Sequence, residues 1–169
     1  YHYADAKHLG YSVKVNGKAV EAELKDGGYF AIDRKWKKGD RVSVHFDMQP
    51  RLVRANGRVA ADKGRAEVER GPLVYCAEWP DNSFPVRSVL VGPDPGMVAV
   101  PGDVMGYPVR KIATIAQSVS YDRTGRLAVK DVKLTLIPYY AWCHRGSGEM
   151  AVWLPRTVQA TRPETFNEK

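Results

Sequence analysis

Two residue types that carry out nucleophilic catalysis stand side by side in this chain, at Cys143 and His144. A cysteine nucleophile needs a base within hydrogen-bond reach. Consecutive side chains of an extended segment point to opposite faces, so these neighbours are poor partners for proton transfer. The remaining histidines have no recognisable spacing to a cysteine; they are His2, His8 and His45. We therefore predict no catalytic cysteine, and we expect Cys76 and Cys143 to be buried free thiols, with a disulfide as the alternative in an exported protein.

Paired carboxylates are the second kind of reactive group, because glycoside hydrolysis uses two of them. Glu67 and Glu69 fall on one face of a predicted strand, separated by roughly 6.5–7 Å of strand rise. Nothing nearby in the sequence would raise the pKa of one and keep the other low, so we expect both to be solvated. The acidic residues at predicted turns lack calcium-loop spacing; they are Asp26, Asp33 and Asp40. The sequence predicts neither a catalytic pair nor a metal site.

One aromatic cluster near the C-terminus has the residue types of a ligand-binding surface. Aromatic rings stack on sugar rings, and histidine and arginine side chains hydrogen-bond to hydroxyl groups. Alternation along the chain would instead send some of these rings into the core or an interface. The candidate carbohydrate or interface contacts are Tyr140, Trp142, His144, Arg145 and Trp153.

The spacing of apolar residues predicts β-strands along most of the chain, since no window of about twelve residues shows a helical period. Residues 11–15 alternate, Asn16-Gly17 suits a type I′ turn, and the alternation resumes at Val20. The clearest strand covers residues 42–48, with one apolar face formed by Val42, Val44, Phe46 and Met48. Many short strands between turns are typical of a β-sandwich.

Proline residues divide the chain, because six of the eleven lie between Trp79 and Pro108. Proline cannot donate to a strand ladder, so we expect this stretch to be loop with brief edge strands at most. A subdomain boundary near Trp79-Pro80 follows, with regions 1–79 and 80–155 and a polar tail, 156–169, that is disordered or a short helix. The predicted fold is an all-β, antiparallel, jelly-roll-like β-sandwich, arranged as two small packed subdomains.

The overall charge narrows the classes of partner. The net charge is +7, but no aromatic residues alternate with the basic residues between Arg51 and Arg70. A single-stranded nucleic acid binder would place stacking rings there, so we expect a solvated basic face and no nucleic acid partner. No apolar run approaches the roughly 18 residues of a membrane span. The first residues lack a signal peptide and an initiator methionine, so we expect a piece of a longer protein.

Two longer segments resemble the β-L-arabinofuranosidase family, glycoside hydrolase family 127. Arg70-Gly71-Pro72-Leu73-Val74-Tyr75-Cys76-Ala77-Glu78 is similar to the family's "RGPLVYC-E" segment. Ile137-Pro138-Tyr139-Tyr140-Ala141-Trp142, with Arg145-Gly146 and 148–154, is similar to its "IPYYAW-NRG-GEM-VW" segment. The short patterns at 15–18 and 36–40 also fit. The resemblance covers residues 11–155; Cys143 and His144 depart from it, since a small or amide residue and an asparagine are usual there.

The resemblance implies a β-sandwich region that follows a catalytic (α/α)6 barrel, where a cysteine nucleophile, an acidic partner and zinc reside. It implies that residues 1–79 belong to an incomplete middle sandwich and 80–155 to a C-terminal one. No catalytic or zinc-binding residue of the family maps onto this chain, so no cofactor is expected in this segment. The implied function is accessory: stabilising the barrel, with a homodimer as a further option and arabinose-containing glycans reached through the parent. The alternative is a carbohydrate-binding module.

Overall fold

The computed structural model describes residues 1–5, 9–21 and 23–162, and its regular elements in those ranges are strands and short 3₁₀ turns. The predicted all-β, antiparallel sandwich class is confirmed. Within the described ranges, no helix has the length and apolar character needed to cross a membrane.

The strands, in chain order, are β1 (His2–Tyr3), β2 (Tyr11–Val15), β3 (Lys18–Ala19), β4 (Glu23–Lys25), β5 (Tyr29–Ala31), β6 (Val42–Phe46), β7 (Pro50–Arg54), β8 (Arg65–Arg70), β9 (Leu73–Glu78), β10 (Val89–Leu90), β11 (Val98–Val104), β12 (Tyr107–Tyr121), β13 (Leu127–Pro138), β14 (Met150–Ala151) and β15 (Leu154–Pro155).

Two compact units make up the chain, and each is described separately. The larger unit comprises Tyr1–Ala6 and Gln49–Lys169, and the smaller unit comprises Lys7–Met48. The boundary expected at Trp79-Pro80 instead lies inside the larger unit. The reason is that β9, which precedes that point, pairs with β13, which follows it. Long-range strand pairing thus joins segments that the proline content suggested were separate.

The larger unit is built on one ten-stranded antiparallel sheet in the order β1-β7-β8-β9-β13-β12-β10, with β11, β14 and β15 paired to β12, β9 and β8. Residues from both ends of this order share one buried cluster, including Leu52 of β7 and Val89 of β10. A sheet whose two ends contribute to the same core is folded into two layers, which is the sandwich arrangement. The strand β9 is buried on both faces, because Tyr75 and Ala77 join this cluster while Cys76 joins a second one.

The proline-rich stretch contains a strand that the sequence did not reveal. β11 spans seven residues, includes Pro101 and pairs with β12, through a turn at Met105-Gly106. Proline is tolerated here because β11 pairs on one side only, with β12. Both turn residues have positive φ, 53° and 85°, as a two-residue type I′ turn requires. Methionine seldom adopts this conformation, so the turn gave no sequence signal.

The smaller unit contains the hairpin that the sequence predicted. β2 and β3 are joined by Asn16 and Gly17, whose φ angles are 51° and 79°. β2 also pairs with β6, while β4 and β5 form a separate two-stranded sheet. The continuation that we predicted from Val20 includes Ala22, which lies outside the described residues.

The apolar face of β6, which the alternation predicted, is exposed. Val42, Val44 and Phe46 retain 49%, 51% and 60% of their accessible surface. Their partners across the ladder are Val15, Val13 and Tyr11, and directly paired residues share a face. The first two of those partners are buried. β6 lies at the end of the order β3-β2-β6, so one half of this apolar face is uncovered within the described part of the smaller unit.

The start of the polar tail is ordered against the larger unit. Arg156 N–H donates to the Gly64 carbonyl at 2.8 Å, and Arg162 N–H donates to the Arg87 carbonyl at 3.0 Å. A 3₁₀ turn covers Val158–Ala160 between them. Residues 163–169 lie outside the described residues.

Candidate functional site

The aromatic segment 139–149 is a loop whose two ends are held by the same strand. β13 leads into it and pairs with β9 at Pro138↔Tyr75. β14 leads out of it and pairs with β9 at Met150↔Glu78. Because β9 is buried on both faces, it provides a rigid base for this loop, which we call the 139–149 loop.

A network of buried and half-buried charges fixes the middle of the 139–149 loop. The Glu78 side chain is 3% exposed, and its carboxylate accepts hydrogen bonds from Arg145 and from the Cys143 backbone N–H at 3.2 Å. Arg145 also donates to Asp81, and the Asp81 carboxylate accepts a further bond from Lys111 Nζ at 2.7 Å. Arg145 is therefore held by two carboxylates within the protein rather than presented to a sugar.

The charges in this network support one another. Burial alone would raise the pKa of Asp81, but hydrogen bonds from Arg145 and Lys111 outweigh it and hold that pKa below its ordinary value of 3.8. Burial works against the charge on Arg145 as well, yet bonds to Asp81 and Glu78 raise its pKa. Both groups stay ionised at neutral pH, which keeps the loop pinned to β9.

The far end of the 139–149 loop packs under a tryptophan. The backbone N–H of Trp79 donates to the Glu149 carbonyl at 3.0 Å. The indole ring of Trp79 lies directly over Gly148. A Cβ atom at Gly148 would overlap the indole ring, so only glycine leaves room for this contact. No pattern in the sequence indicates that Trp79 belongs to this site.

The predicted contact residues do not form a single surface. Tyr139 and Trp142 stack with ring centroids 5.8 Å apart, and Tyr140 beside them is 64% exposed. His144 is exposed on the same loop. Trp153 lies elsewhere: it stacks on Tyr1 at 5.8 Å and lines a different cleft from Trp142. On the loop itself, Tyr139 and Tyr140 are exposed, whereas Trp142 is half-buried.

The two cysteines differ from each other, although both are free. Burial raises the pKa of the Cys76 thiol to about 12, and the nearby Glu78 carboxylate adds to the rise. A thiol that stays protonated at neutral pH is a poor nucleophile. Cys143 is exposed, not buried as expected, and its backbone has a positive φ of 70°.

The resemblance implies a zinc cluster in the barrel, and it maps none of the zinc-binding residues onto this chain. No group of three or more histidine, cysteine or acidic side chains lies close enough to hold a metal ion in the part of the chain that the structure describes.

Glu67 is buried, whereas we expected it to be solvated. Its side chain faces Val53 across the β7–β8 ladder and the residue is 7% exposed. Burial raises the pKa of its carboxyl above the ordinary 4.5, and the charges of Glu69 and Asp62 raise it further. The sequence could not show this, since the burial of Glu67 depends on tertiary packing and not on the alternation of β8 alone.

We predict that Glu67→Gln stabilises the chain at neutral pH by about 0.5–1 kcal/mol. A carboxyl whose pKa is raised on folding favours the folded state at low pH, and that contribution is lost as the pH rises through the folded value. The gain from Gln should therefore be present at pH 7 and should shrink below the ordinary pKa of 4.5. Denaturant unfolding at several pH values measures it, with Glu21→Gln at an exposed site as the control. An equal gain at pH 4 and pH 7 would contradict the burial of charge at Glu67.

The family comparisons agree with this architecture. The model of the glycoside hydrolase family 127 C-terminal domain matches residues 50–155, and that of the β-L-arabinofuranosidase GH127 middle domain matches residues 6–48. These two ranges follow the division between the larger and the smaller unit rather than a boundary at Trp79.

Individual relatives are similar across most of the chain. A non-reducing end β-L-arabinofuranosidase of Bifidobacterium longum is 35% identical over 161 residues, covering 86% of this chain and 24% of the relative. A solved GH127 β-arabinofuranosidase has a TM-score of 0.89 at 56% identity, covering 95% of this chain and 25% of its own. A GH127 β-L-arabinofuranosidase from Geobacillus stearothermophilus T6 has a TM-score of 0.77 at 34% identity, and the match covers 86% of this chain and 24% of that enzyme. The chain spans about a quarter of the length of these relatives, and it belongs to glycoside hydrolase family 127 as its C-terminal domain with a segment of its middle domain.

Proposed function

We propose that this chain is a non-catalytic accessory region of a longer glycoside hydrolase that cleaves L-arabinofuranosides. The observation that carries the proposal is the match to the middle and C-terminal domains alone, across about a quarter of enzymes described as β-L-arabinofuranosidases. The chemistry of the described residues is in keeping with it. Arg145 is engaged by two carboxylates, and the Cys76 thiol has a pKa of about 12.

The accessory role includes a surface for the rest of the longer protein. The exposed face of Val42, Val44 and Phe46 lies on a strand with an open edge in the described part of the smaller unit. An apolar face of this kind marks an interface. We propose that a preceding segment of the same polypeptide covers it, that the region stabilises the catalytic barrel, and that zinc is held by residues of the barrel rather than by this chain.

Purified chain should release no aryl group from an aryl β-L-arabinofuranoside, while a longer protein that includes the barrel should do so. Turnover by the purified chain alone would overturn the accessory assignment.

The covering of β6 can be tested separately with Val44→Lys. In this chain the substitution should change the free energy of unfolding by less than about 0.5 kcal/mol, because Val44 is half exposed. In the longer protein it should destabilise strongly, since a lysine would then be buried in an apolar contact. Ser43→Lys, on the opposite face of β6, is the control. Equal effects of Val44→Lys in both proteins would contradict the covered face, and a dimer of this chain by light scattering would assign the face to a second copy instead.

A second function, carbohydrate binding, is favoured by one observation: Tyr140 is 64% exposed beside the stacked pair Tyr139 and Trp142. Affinity electrophoresis on arabinan and pectic glycans tests it, with Trp142→Ala as the variant and Trp36→Ala, exposed in the smaller unit, as the control. Slower migration that Trp142→Ala alone abolishes would support a binding module. Unchanged mobility on every glycan would remove this function.

A further inference from the structure

The first residues of the chain form the edge strand of the larger unit, although they precede the smaller unit in sequence. β1 pairs with β7 in antiparallel register, His2↔Arg54 and Tyr3↔Val53, and Ala4 N–H donates to the Leu52 carbonyl at 2.8 Å. The family models match residues 6–48 and 50–155, so neither includes this segment.

Side chains on one face of the segment contact a single arginine. The Arg51 guanidinium lies 3.5 Å from the centroid of the Tyr3 ring, and its Nη2 donates to an Asp5 carboxylate oxygen at 2.7 Å. The Arg51 side chain is 8% exposed. An arginine buried to this extent needs a partner for its charge, and Tyr3 and Asp5 provide a ring face and a carboxylate.

The alternation of the segment matches the two faces of the sheet. Tyr1, Tyr3 and Asp5 are two residues apart and share a face. Tyr1 continues the contacts of that face by stacking on Trp153 with an interplanar angle of 26°. Ala4 points the other way and packs against the main core cluster. Each described position from Tyr3 to Asp5 therefore has a specific contact, which a chance pairing of an edge would not supply.

The face under this segment is buried although it lies near the edge of the sheet. Val53 is directly opposite Tyr3 and is 2% exposed, and Glu67, opposite Val53 on β8, is 7% exposed. An edge strand normally leaves its outer face in water. Tyr3 and Asp5, on the same face of the segment, contact Arg51 beside these positions.

We propose that the β7 edge, with Arg51 and Trp153, is a docking surface for an extended segment of the pattern aromatic–any–aromatic–small–acidic, and that its occupant is this chain's own Tyr1–Asp5. The interaction is strand addition with side-chain recognition. The C-terminal domain then depends on residues that precede the middle-domain segment in the sequence. Its stable unit is thus larger than residues 50–155.

Amide hydrogen exchange on the full chain tests this proposal. Tyr3→Ala should speed exchange of the Ala4 amide about tenfold, because loss of the contact with Arg51 opens the strand locally. Tyr107→Ala is the matched control, since Tyr107 is a 74% exposed tyrosine on another strand of the same unit. The Ala4 amide should exchange at its normal rate in that variant. Equal Ala4 exchange in the two variants would overturn the docking.

Two further measurements address specificity and the source of the strand. The double variant Arg51→Met with Tyr3→Ala should change Ala4 exchange by less than the sum of the two single variants. The reason is that each substitution removes the same contact between Arg51 and the Tyr3 ring. Additive effects would contradict recognition by Arg51. The exchange rates should also be the same at tenfold lower protein concentration; a dependence on concentration would show exchange of strands between copies and would overturn the intrachain assignment. None of these readouts depends on glycosidase activity, so they stand apart from the proposed accessory function.

Discussion

Arg145→Ala is expected to lower the free energy of unfolding by about 3–4 kcal/mol, the largest effect that we predict for this chain. Removing one partner of a buried ion pair typically costs about 3–5 kcal/mol because the other charge is left without compensation. The lower part of that range applies here, since the Arg145 side chain keeps 16% of its exposure. The Glu78 side chain, which is 3% exposed, would keep only the Cys143 backbone N–H as a donor among the described contacts. Urea unfolding at pH 7 measures the loss.

The pH dependence distinguishes loss of charge pairing from loss of packing. The pKa of Asp81 is depressed in the folded state, so its contribution to stability is present above the ordinary value of 3.8 and is lost as the pH falls through the folded value. The gap between the wild-type chain and Arg145→Ala should therefore narrow in acid. Arg123→Ala, at an exposed turn, is the control and should stay within about 0.5 kcal/mol of wild type. A gap of the same size at pH 3 and pH 7 would contradict the ion-pair explanation.

Gly148→Ala is expected to destabilise by about 1–3 kcal/mol, the range for overpacking a close contact. The new Cβ would overlap the indole of Trp79, which must then move. Trp79 is 42% exposed, so the ring can swing outward, and this limits the effect to less than a rigid core clash would give. Thermal unfolding followed by tryptophan fluorescence should show both a lower midpoint and an altered emission from the native state.

Gly57→Ala is the matched control for this change. Gly57 lies in a turn, has no atom within 4 Å of the Cβ position, and does not require positive φ. It should leave the unfolding midpoint nearly unchanged. If Gly148→Ala behaved in the same way and left the emission spectrum unaltered, the contact between Trp79 and the 139–149 loop would be refuted.

Local chemistry was enough to predict several elements of the fold. The turn at Asn16-Gly17 has the positive φ angles that its residue types favour, and the alternation at residues 42–46 does form β6. The same reasoning missed β11, because Pro101 lies on a strand paired on one side only and Met105 adopts a backbone conformation unusual for methionine. It identified the apolar face of β6 but not its exposure, since Val44 is half exposed in the described smaller unit.

The sequence by itself determined the strand-rich class and the family, because alternation, turn residues and family motifs are properties of short segments. Only the tertiary structure decided the roles of individual side chains in the candidate site. Arg145 had the residue type of a sugar contact, but Glu78, 67 positions away, holds it inside the protein. Glu67 had the pattern of a surface carboxylate, but it is buried at the position where β8 pairs with β7. Burial and ion pairing arise from residues that are distant along the chain, so a single sequence records their types and not their neighbours.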